Sequence, residues 1–397
     1  MALDPKIREA ILNMPAAKPP PGVTPNFVNP SDLVDLTYGL ASVLTALATA
    51  SVAVRIFTKW KIVRSVVIED YMLTISFFLY VGGLVPVCYL AAYHHTGVHQ
   101  WNLTVRDTII RSYLYMIGTI AYDLTVLFLK LSILLQCLRV FIPAGTRNVA
   151  FWVYQLLIWV HICFYVTSAL LEFAWCRPMK KLWDPTVIEG KCIGDITIKA
   201  LVSGTINAGS DCLLLVLSQN VIWNLRLPTK RKRLLSGVFL LGLMPTVCSL
   251  VRIYYLIQGH QDVDQTYWYT LLGEWGLSEL AFGQFAASAV VMPKFVKYIS
   301  KKPIFAQIGS WLPTFDLSNT GDEKSGAAGR ESKRNRISLG RRSAGRVQVT
   351  DREYNELVEN SLQLSASGHS VVSRKLSNDI VSAKVNSPEL DFITVAE

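Results

Sequence analysis

The chain has 397 residues, 51% hydrophobic and only 17% charged, with a net charge of +10 and a mean hydropathy of +0.33. Soluble domains carry roughly a quarter charged residues, and here the charge gathers in the polar last hundred or so positions, so the rest is more apolar still and an ordinary soluble enzyme is excluded. The basic residues sit in short clusters beside apolar runs, which fits membrane topology and argues against a nucleic-acid binder. The seven cysteines are scattered through apolar segments and make neither a disulfide scaffold nor a zinc module.

In chain order, residues 1–32 are polar and carry Pro19, Pro20 and Pro21, with no cleavable signal peptide evident. They are expected to form a short extracellular N-terminus, with the first apolar segment acting as an uncleaved signal anchor. A spanning helix needs about 20 largely apolar residues. Seven segments qualify: Leu36 to Ile56, Tyr71 to Tyr93, Ile109 to Leu138, Val149 to Ala174, Ile196 to Leu225, Leu234 to Gln258 and Tyr267 to Val296. The expected fold is therefore an all-α membrane protein, a seven-transmembrane helix bundle over residues 33–300. A tail at 301–397, rich in Ser, Arg, Lys, Asp and Glu, cannot bury enough surface to offset its chain entropy and is expected to be disordered.

Orientation follows from lysine and arginine near the helix ends. The connections holding Arg55 to Arg64, Arg139 and Arg147, Arg226 to Arg233, and Lys294 to Lys302 contain fifteen such residues; the opposite set contains ten. The first set is expected in the cytoplasm, which places the N-terminus outside and the C-terminus inside a multi-pass protein of the plasma membrane. Two features agree. The sequon Asn102-Leu103-Thr104 falls in an outer loop, making Asn102 a glycosylation candidate. Cys176 and Cys192 flank another outer loop, where a disulfide can persist. In the tail, Ser338, Ser343 and Ser377 follow basic residues and are candidate phosphorylation sites.

Ionisable side chains inside a bilayer need a partner or a role. By depth, Arg252 can meet Glu274 or Glu279, while Lys130 can meet Asp211 or the Glu69-Asp70 pair. Asp123, Lys130 and Asp211 are read as intramembrane charge-pair residues. Arg252, Glu274, Glu279, Trp275 and Gln284 are read as candidates to line an outer ligand pocket. Trp101, Trp183 and Trp268 read as interfacial anchors. His94, His95 and His99 share one loop without the carboxylate or cysteine company of a metal site. No metal, cofactor or catalytic motif is expected, and the chain reads as a non-enzyme whose partners are the bilayer, a small-molecule ligand and a cytoplasmic signalling protein.

The chain resembles the fungal rhodopsin-domain integral membrane proteins, a group read as seven-helix receptors of filamentous fungi. The resemblance runs through Val54-Arg55-Ile56-Phe57, Ile68-Glu69-Asp70-Tyr71, Phe128 to Leu135, Leu138-Arg139-Val140-Phe141, Cys176-Arg177-Pro178, Leu182-Trp183-Asp184 and Gly190-Lys191-Cys192-Ile193. It continues through Asn207, Asp211, Ile222-Trp223-Asn224-Leu225, Val251-Arg252-Ile253, Trp275, Glu279 and Pro293, covering roughly residues 33–300. It implies a seven-helix receptor-like bundle, and the chain is also similar to membrane proteins encoded within secondary-metabolite clusters. The seventh segment lacks a lysine near its midpoint for a retinal Schiff base, since Lys294 and Lys297 lie at its end. The function expected from this is a sensor of a small molecule or surface cue; a transporter or channel, or a membrane-embedded enzyme or accessory protein of such a pathway, stand as alternatives.

Overall fold

A computed structural model describes residues 5–142, 149–224, 236–237 and 240–299. Ser338, Ser343, Ser377, the expected disordered tail and the basic Arg226 to Arg233 loop lie outside the described residues.

The helices are α1 (Pro5–Leu12), α2 (Val34–Phe57), α3 (Ile68–Leu79), α4 (Val85–Tyr93), α5 (Val105–Phe141), α6 (Val149–Ala174), α7 (Ile196–Asn224), α8 (Leu243–Gln261), α9 (Gln265–Ala289) and α10 (Met292–Ile299). Two π-helical stretches, Thr58–Val63 and Tyr80–Leu84, extend α2 and join α3 to α4, so the second expected span is one rod with a widened middle. The seventh expected segment is interrupted: α9 ends at Ala289, and α10 begins one residue before Pro293, whose ring cannot continue the preceding helix.

Among the described residues, five segments are long and apolar enough to cross a bilayer: Val34–Val63, Ile68–Tyr93, Val105–Phe141, Val149–Ala174 and Ile196–Trp223. On α6, Trp152, Leu156, Trp159, Val160 and Leu170 point outward and exposed, an apolar surface suited to lipid rather than water. α8 and α9 fall outside this group because their polar side chains lower the average. Those side chains face inward: Thr246, Ser249, Glu274, Ser278, Glu279, Gln284 and Ser288 are all buried.

The long α5 is the axial element, packing on α3, α6, α7 and α9, while α9 also packs on α8 and α2 and so closes the bundle. Its start is fixed by a reciprocal cap: Thr104 Oγ1 accepts from Asp107 N at 3.2 Å, and the Asp107 carboxylate accepts from Thr104 N at 3.3 Å. Small residues let the helices approach. A Cβ placed on Gly283 of α9 would stand 2.7 Å from Leu129 of α5.

At one end, the loop between α6 and α7 folds into a two-stranded hairpin, Cys176–Arg177 against Lys191–Cys192, closed by the Cys176–Cys192 disulfide. Gly190 must be glycine there, because its φ is +100° and a Cβ would lie 2.2 Å from the Arg177 carbonyl oxygen. The crosslink spans a sequence separation of 16, a loop for which closure entropy contributes about 3 kcal/mol. Replacing Cys176 and Cys192 by serine is expected to lower the unfolding temperature, and reductant to lower that of the native chain but not of the variant, as followed by thermal unfolding in detergent.

The N-terminal segment is folded over this same end. Ala16 N donates to Leu103 O at 2.8 Å and Val105 N to Met14 O at 3.0 Å. Arg106 Nη2 reaches Glu9 at 2.6 Å, and Arg8 reaches the buried Asp184 of the hairpin loop at 3.4 Å. Expected to be only a short polar lead, residues 5–32 thus include a helix and a cap whose hydrogen bonds are non-local.

Candidate functional site

A cavity of about 410 Å³ opens toward the disulfide end, lined by residues of α2 and α4 to α9 and by Leu182 of the hairpin loop. Its walls combine apolar side chains, such as Leu84, Val87, Leu114, Met116, Ile253 and Leu256, with Arg111, Asp123, Glu172, Lys199, Arg252 and Glu274. Helical geometry explains the mixture: α8 and α9 present their polar faces to the same space into which α5 turns Tyr115, Tyr122 and Asp123.

The cavity floor is a hydrogen-bonded network of residues from five helices, α5 to α9. Arg252 Nη1 donates to Glu279 Oε2 at 2.9 Å and also to the Tyr122 hydroxyl, and its guanidinium lies 4.1 Å from the Tyr122 ring centroid. Tyr122 donates to Glu279 Oε1 at 2.8 Å, Asn207 Nδ2 donates to the same oxygen at 2.7 Å, and Tyr165 donates to Asn207 Oδ1 at 2.5 Å. Glu279 is 4% exposed, so the charge-assisted bonds it receives are what make its burial tolerable. Beside the floor, Asp123 accepts from Ser168 at 2.7 Å, and Lys199 pairs with Glu172.

Below the floor the polar path continues. Ser249 Oγ donates to Asp211 Oδ2 at 2.8 Å, and Lys130 Nζ meets Asp211 Oδ1 at 2.8 Å, Asn207 O at 3.1 Å and Ser210 Oγ at 2.5 Å. Asp211 and Gln136 line a second cavity of about 80 Å³.

At the end away from the disulfide, Arg55 is 2% exposed and binds Asp70 through Nε at 2.9 Å and Nη2 at 2.8 Å, Gln136 Oε1 at 2.7 Å and the α9 carbonyl of Ala287 at 2.6 Å. Lys59 lies 3.3 Å from Asp70, and Arg139 lies 3.1 Å from Glu69. Three separate stretches of the sequence, around residues 54–57, 68–71 and 136–139, thereby meet in one cluster.

The structure resolves the open pairings. Arg252 bridges to Glu279 and not Glu274; Lys130 bridges to Asp211 and not to Glu69 or Asp70. Asp123 is held by a serine hydroxyl and not by a cation. Of the expected pocket residues, Arg252 and Glu274 line the cavity, and Glu279 acts on it through Arg252 and Tyr122. Trp275 and Gln284 do not line it. Trp275 is half-buried elsewhere on α9, and Gln284 is fully buried with neither amide atom hydrogen-bonded among the described residues. Depth alone does not fix which way a side chain faces: the α9 rotation that brings Glu274 inward turns Trp275 by about 100°. Tyr122, Tyr165 and the Glu172–Lys199 pair escaped the sequence reading because phenols pass as apolar and Lys199 reads as a loop charge. The nearest signal was the tyrosine immediately before Asp123.

At the rim, His99 stacks between Trp101 and Tyr267, with ring centroids 4.7 and 5.0 Å away, and its Nδ1 lies 2.5 Å from Asp264. The Trp268 indole donates to Asp262 at 3.0 Å and holds that carboxyl below its ordinary range. A depressed carboxyl stabilises the folded rim above the usual carboxylate range and loses that contribution as pH falls through the lowered value. Asn102 is half-buried and accepts from Asn26 N at 3.0 Å, so its Nδ2 is the atom that a glycan would use.

Apolar outward faces, buried ion pairs and a polar-floored cavity at the disulfide end together define a polytopic helical membrane protein. The chain belongs to the family described as the fungal rhodopsin domain, whose family model matches residues 54–298. It is 26% identical over 288 residues to the fugralins biosynthesis cluster protein 2 of Gibberella zeae, covering 72% of this chain and 71% of that protein. It is 31% identical over 210 residues to a SAT4 family membrane protein of Emericella nidulans, covering 53% of this chain and 52% of that protein. No solved structure matches the chain.

Proposed function

We propose that the protein is a seven-helix, receptor-like sensor of a small molecule, with α8 and α9 as its sixth and seventh spans. The disulfide end faces outside and the Arg55 cluster faces the cytoplasm, in the plasma membrane. The observation that carries this reading is the cavity of about 410 Å³ floored by the Arg252–Tyr122–Glu279–Asn207 network. A ligand seated there touches α5, α7, α8 and α9 at once, and differential affinity for two packings of these helices is what a sensor needs. A cytoplasmic signalling partner at the basic end completes the role. The name of the Gibberella zeae relative, a biosynthesis cluster protein, supports a link to secondary metabolism.

The reading is of a non-catalytic protein, because three of the four carboxyl groups at the cavity are engaged by Lys199, Arg252 and Ser168. The test uses the full chain in nanodiscs, titrated with fractions of fungal culture extract and followed by thermal unfolding. One or more fractions are expected to raise the unfolding temperature, and Ala200→Trp, which fills the cavity without breaking an ion pair, is expected to abolish the shift. A shift unchanged by Ala200→Trp overturns the cavity as the sensing site, and a fraction chemically altered on incubation overturns the non-catalytic reading. Protease added outside sealed cells is expected to spare the C-terminal hundred or so residues; their removal inverts the orientation.

One observation favours a second reading, transport. The polar path runs from Asn207 of the floor through Ser249 to Asp211, which pairs with Lys130 and lines the second cavity, so buried groups join the two cavities. Flux of the same fractions into proteoliposomes, lost in Asp211→Asn, is the outcome that would favour it.

A further inference from the structure

Among the ionisable groups at the cavity, Glu274 stands apart. Lys199 pairs with Glu172, Arg252 pairs with Glu279, and Asp123 accepts from Ser168. Glu274 is 8% exposed, makes no ion pair among the described residues, and its Oε2 has no hydrogen-bond partner. The Thr37 hydroxyl lies beside it and is the group placed to donate to this carboxyl, but it makes no well-aligned hydrogen bond among the described residues. Both side chains line the cavity, as do the apolar Leu84, Cys88 and Leu272. A buried acceptor left unpaired lowers stability, and more so when it is charged. A fold that keeps a carboxyl there sacrifices stability at a place where a ligand can recover it.

The charge balance says what kind of group recovers it. At the cavity and its floor, four carboxyl groups (Asp123, Glu172, Glu274 and Glu279) face three cations (Arg111, Lys199 and Arg252). Arg111 is no partner for Glu274: it donates to His94 O at 2.7 Å, and the carboxylates acting on it are those of Asp107 and Asp32. Glu274 therefore has no cation of its own among the described residues, and its Oε2 and Thr37 Oγ1 stand together without a well-aligned hydrogen bond. A protonated amine supplies one charge and up to three N–H donors. A carboxylate ligand would be repelled at Glu274 and could only turn to Arg111 and Arg252, whose Nε donors are also without a hydrogen bond among the described residues, and a hydroxyl would supply a donor to Glu274 without the charge.

We propose that the cavity binds a small lipophilic amine, its ammonium group held by Glu274 and Thr37 and its apolar body lying against Leu84, Cys88 and Leu272. This rests on the reading of the cavity as a ligand site. A charge-assisted hydrogen bond is roughly twice as strong as a neutral one, so an amine binds about tenfold or more tightly than the alcohol of the same skeleton.

The experiment measures binding to the full chain in phosphatidylcholine nanodiscs at neutral pH by equilibrium dialysis. The probes are phenethylamine, tryptamine and naphthylethylamine, each against its hydroxyl counterpart. At least one amine is expected to bind about tenfold or more tightly than its alcohol. Glu274→Gln is expected to remove that preference while unfolding no earlier than the native chain, and Glu274→Asp to retain it. Alcohols equal to or better than amines in every pair, no binding by any amine, or a preference surviving in Glu274→Gln each overturn the proposal. The two readings fail separately. If extract fractions still shift the unfolding temperature in an Ala200-dependent way, the sensor cavity stands and only the ligand class is wrong.

Discussion

Arg55→Ala is expected to destabilise the bundle by about 3–5 kcal/mol, the cost of breaking a buried ion pair by removing one partner. The guanidinium links four elements at this end: it joins α2 to Asp70 of α3, to Gln136 of α5 and to the Ala287 carbonyl of α9. Without it, Asp70 keeps only Lys59 at 3.3 Å and the Val67 amide at 3.2 Å, and both Gln136 Oε1 and the α9 carbonyl lose their donor. Arg55→Lys is expected to recover only part of the loss, because a single ammonium cannot span the fork that arginine presents to a carboxylate, an amide and a carbonyl. Thermal unfolding of both variants in detergent checks this. An Arg55→Ala protein as stable as the native chain would mean that the cluster is incidental to the packing.

How far the sequence disclosed this arrangement depends on what each residue does to hydropathy. The five most apolar spans stand out because lipid-facing side chains such as Trp152, Leu156 and Trp159 dominate their averages. α8 and α9 were found as segments too, but their ends and interior were less legible, since inward-facing polar groups dilute the signal and the break after Ala289 is fixed by Pro293. Depth along antiparallel helices suffices to set Arg252 against Glu274 or Glu279, and Lys130 against Asp211 or the Glu69–Asp70 pair. It could not choose between Glu274 and Glu279, which lie five residues apart and differ by helix rotation as well as by height. The same blindness to rotation put Trp275 and Gln284 in the pocket. The Arg55 cluster and the N-terminal cap were not legible at all. Both depend on partners far away in sequence, such as Arg55 with Ala287 and Arg8 with Asp184, and no periodicity announces contacts of that range.

The Arg252–Glu279 pair offers the second large effect, and a double substitution distinguishes charge from shape. Arg252→Met is expected to cost about 3–5 kcal/mol, because it leaves a carboxylate of 4% exposure with only the Tyr122 hydroxyl and Asn207 amide as donors. Glu279→Leu is expected to cost a comparable amount, since it strands the guanidinium over the Tyr122 ring with no carboxylate. Combining the two should cost less than the sum of the parts by about 1–3 kcal/mol, as expected for groups in one network. The Tyr122 hydroxyl then accepts from Asn207 Nδ2, already 3.2 Å away, and no buried charge is left over. Unfolding temperatures of the four proteins in detergent give the coupling directly. Additive losses would mean that each side chain is satisfied independently, by water or by lipid headgroups, and that the floor of the cavity is not the closed network that ties α5, α7, α8 and α9 together. A coupled pair whose double variant folds but no longer distinguishes ligand fractions would separate the two roles of the network: holding the helices in register, and reading what sits above them.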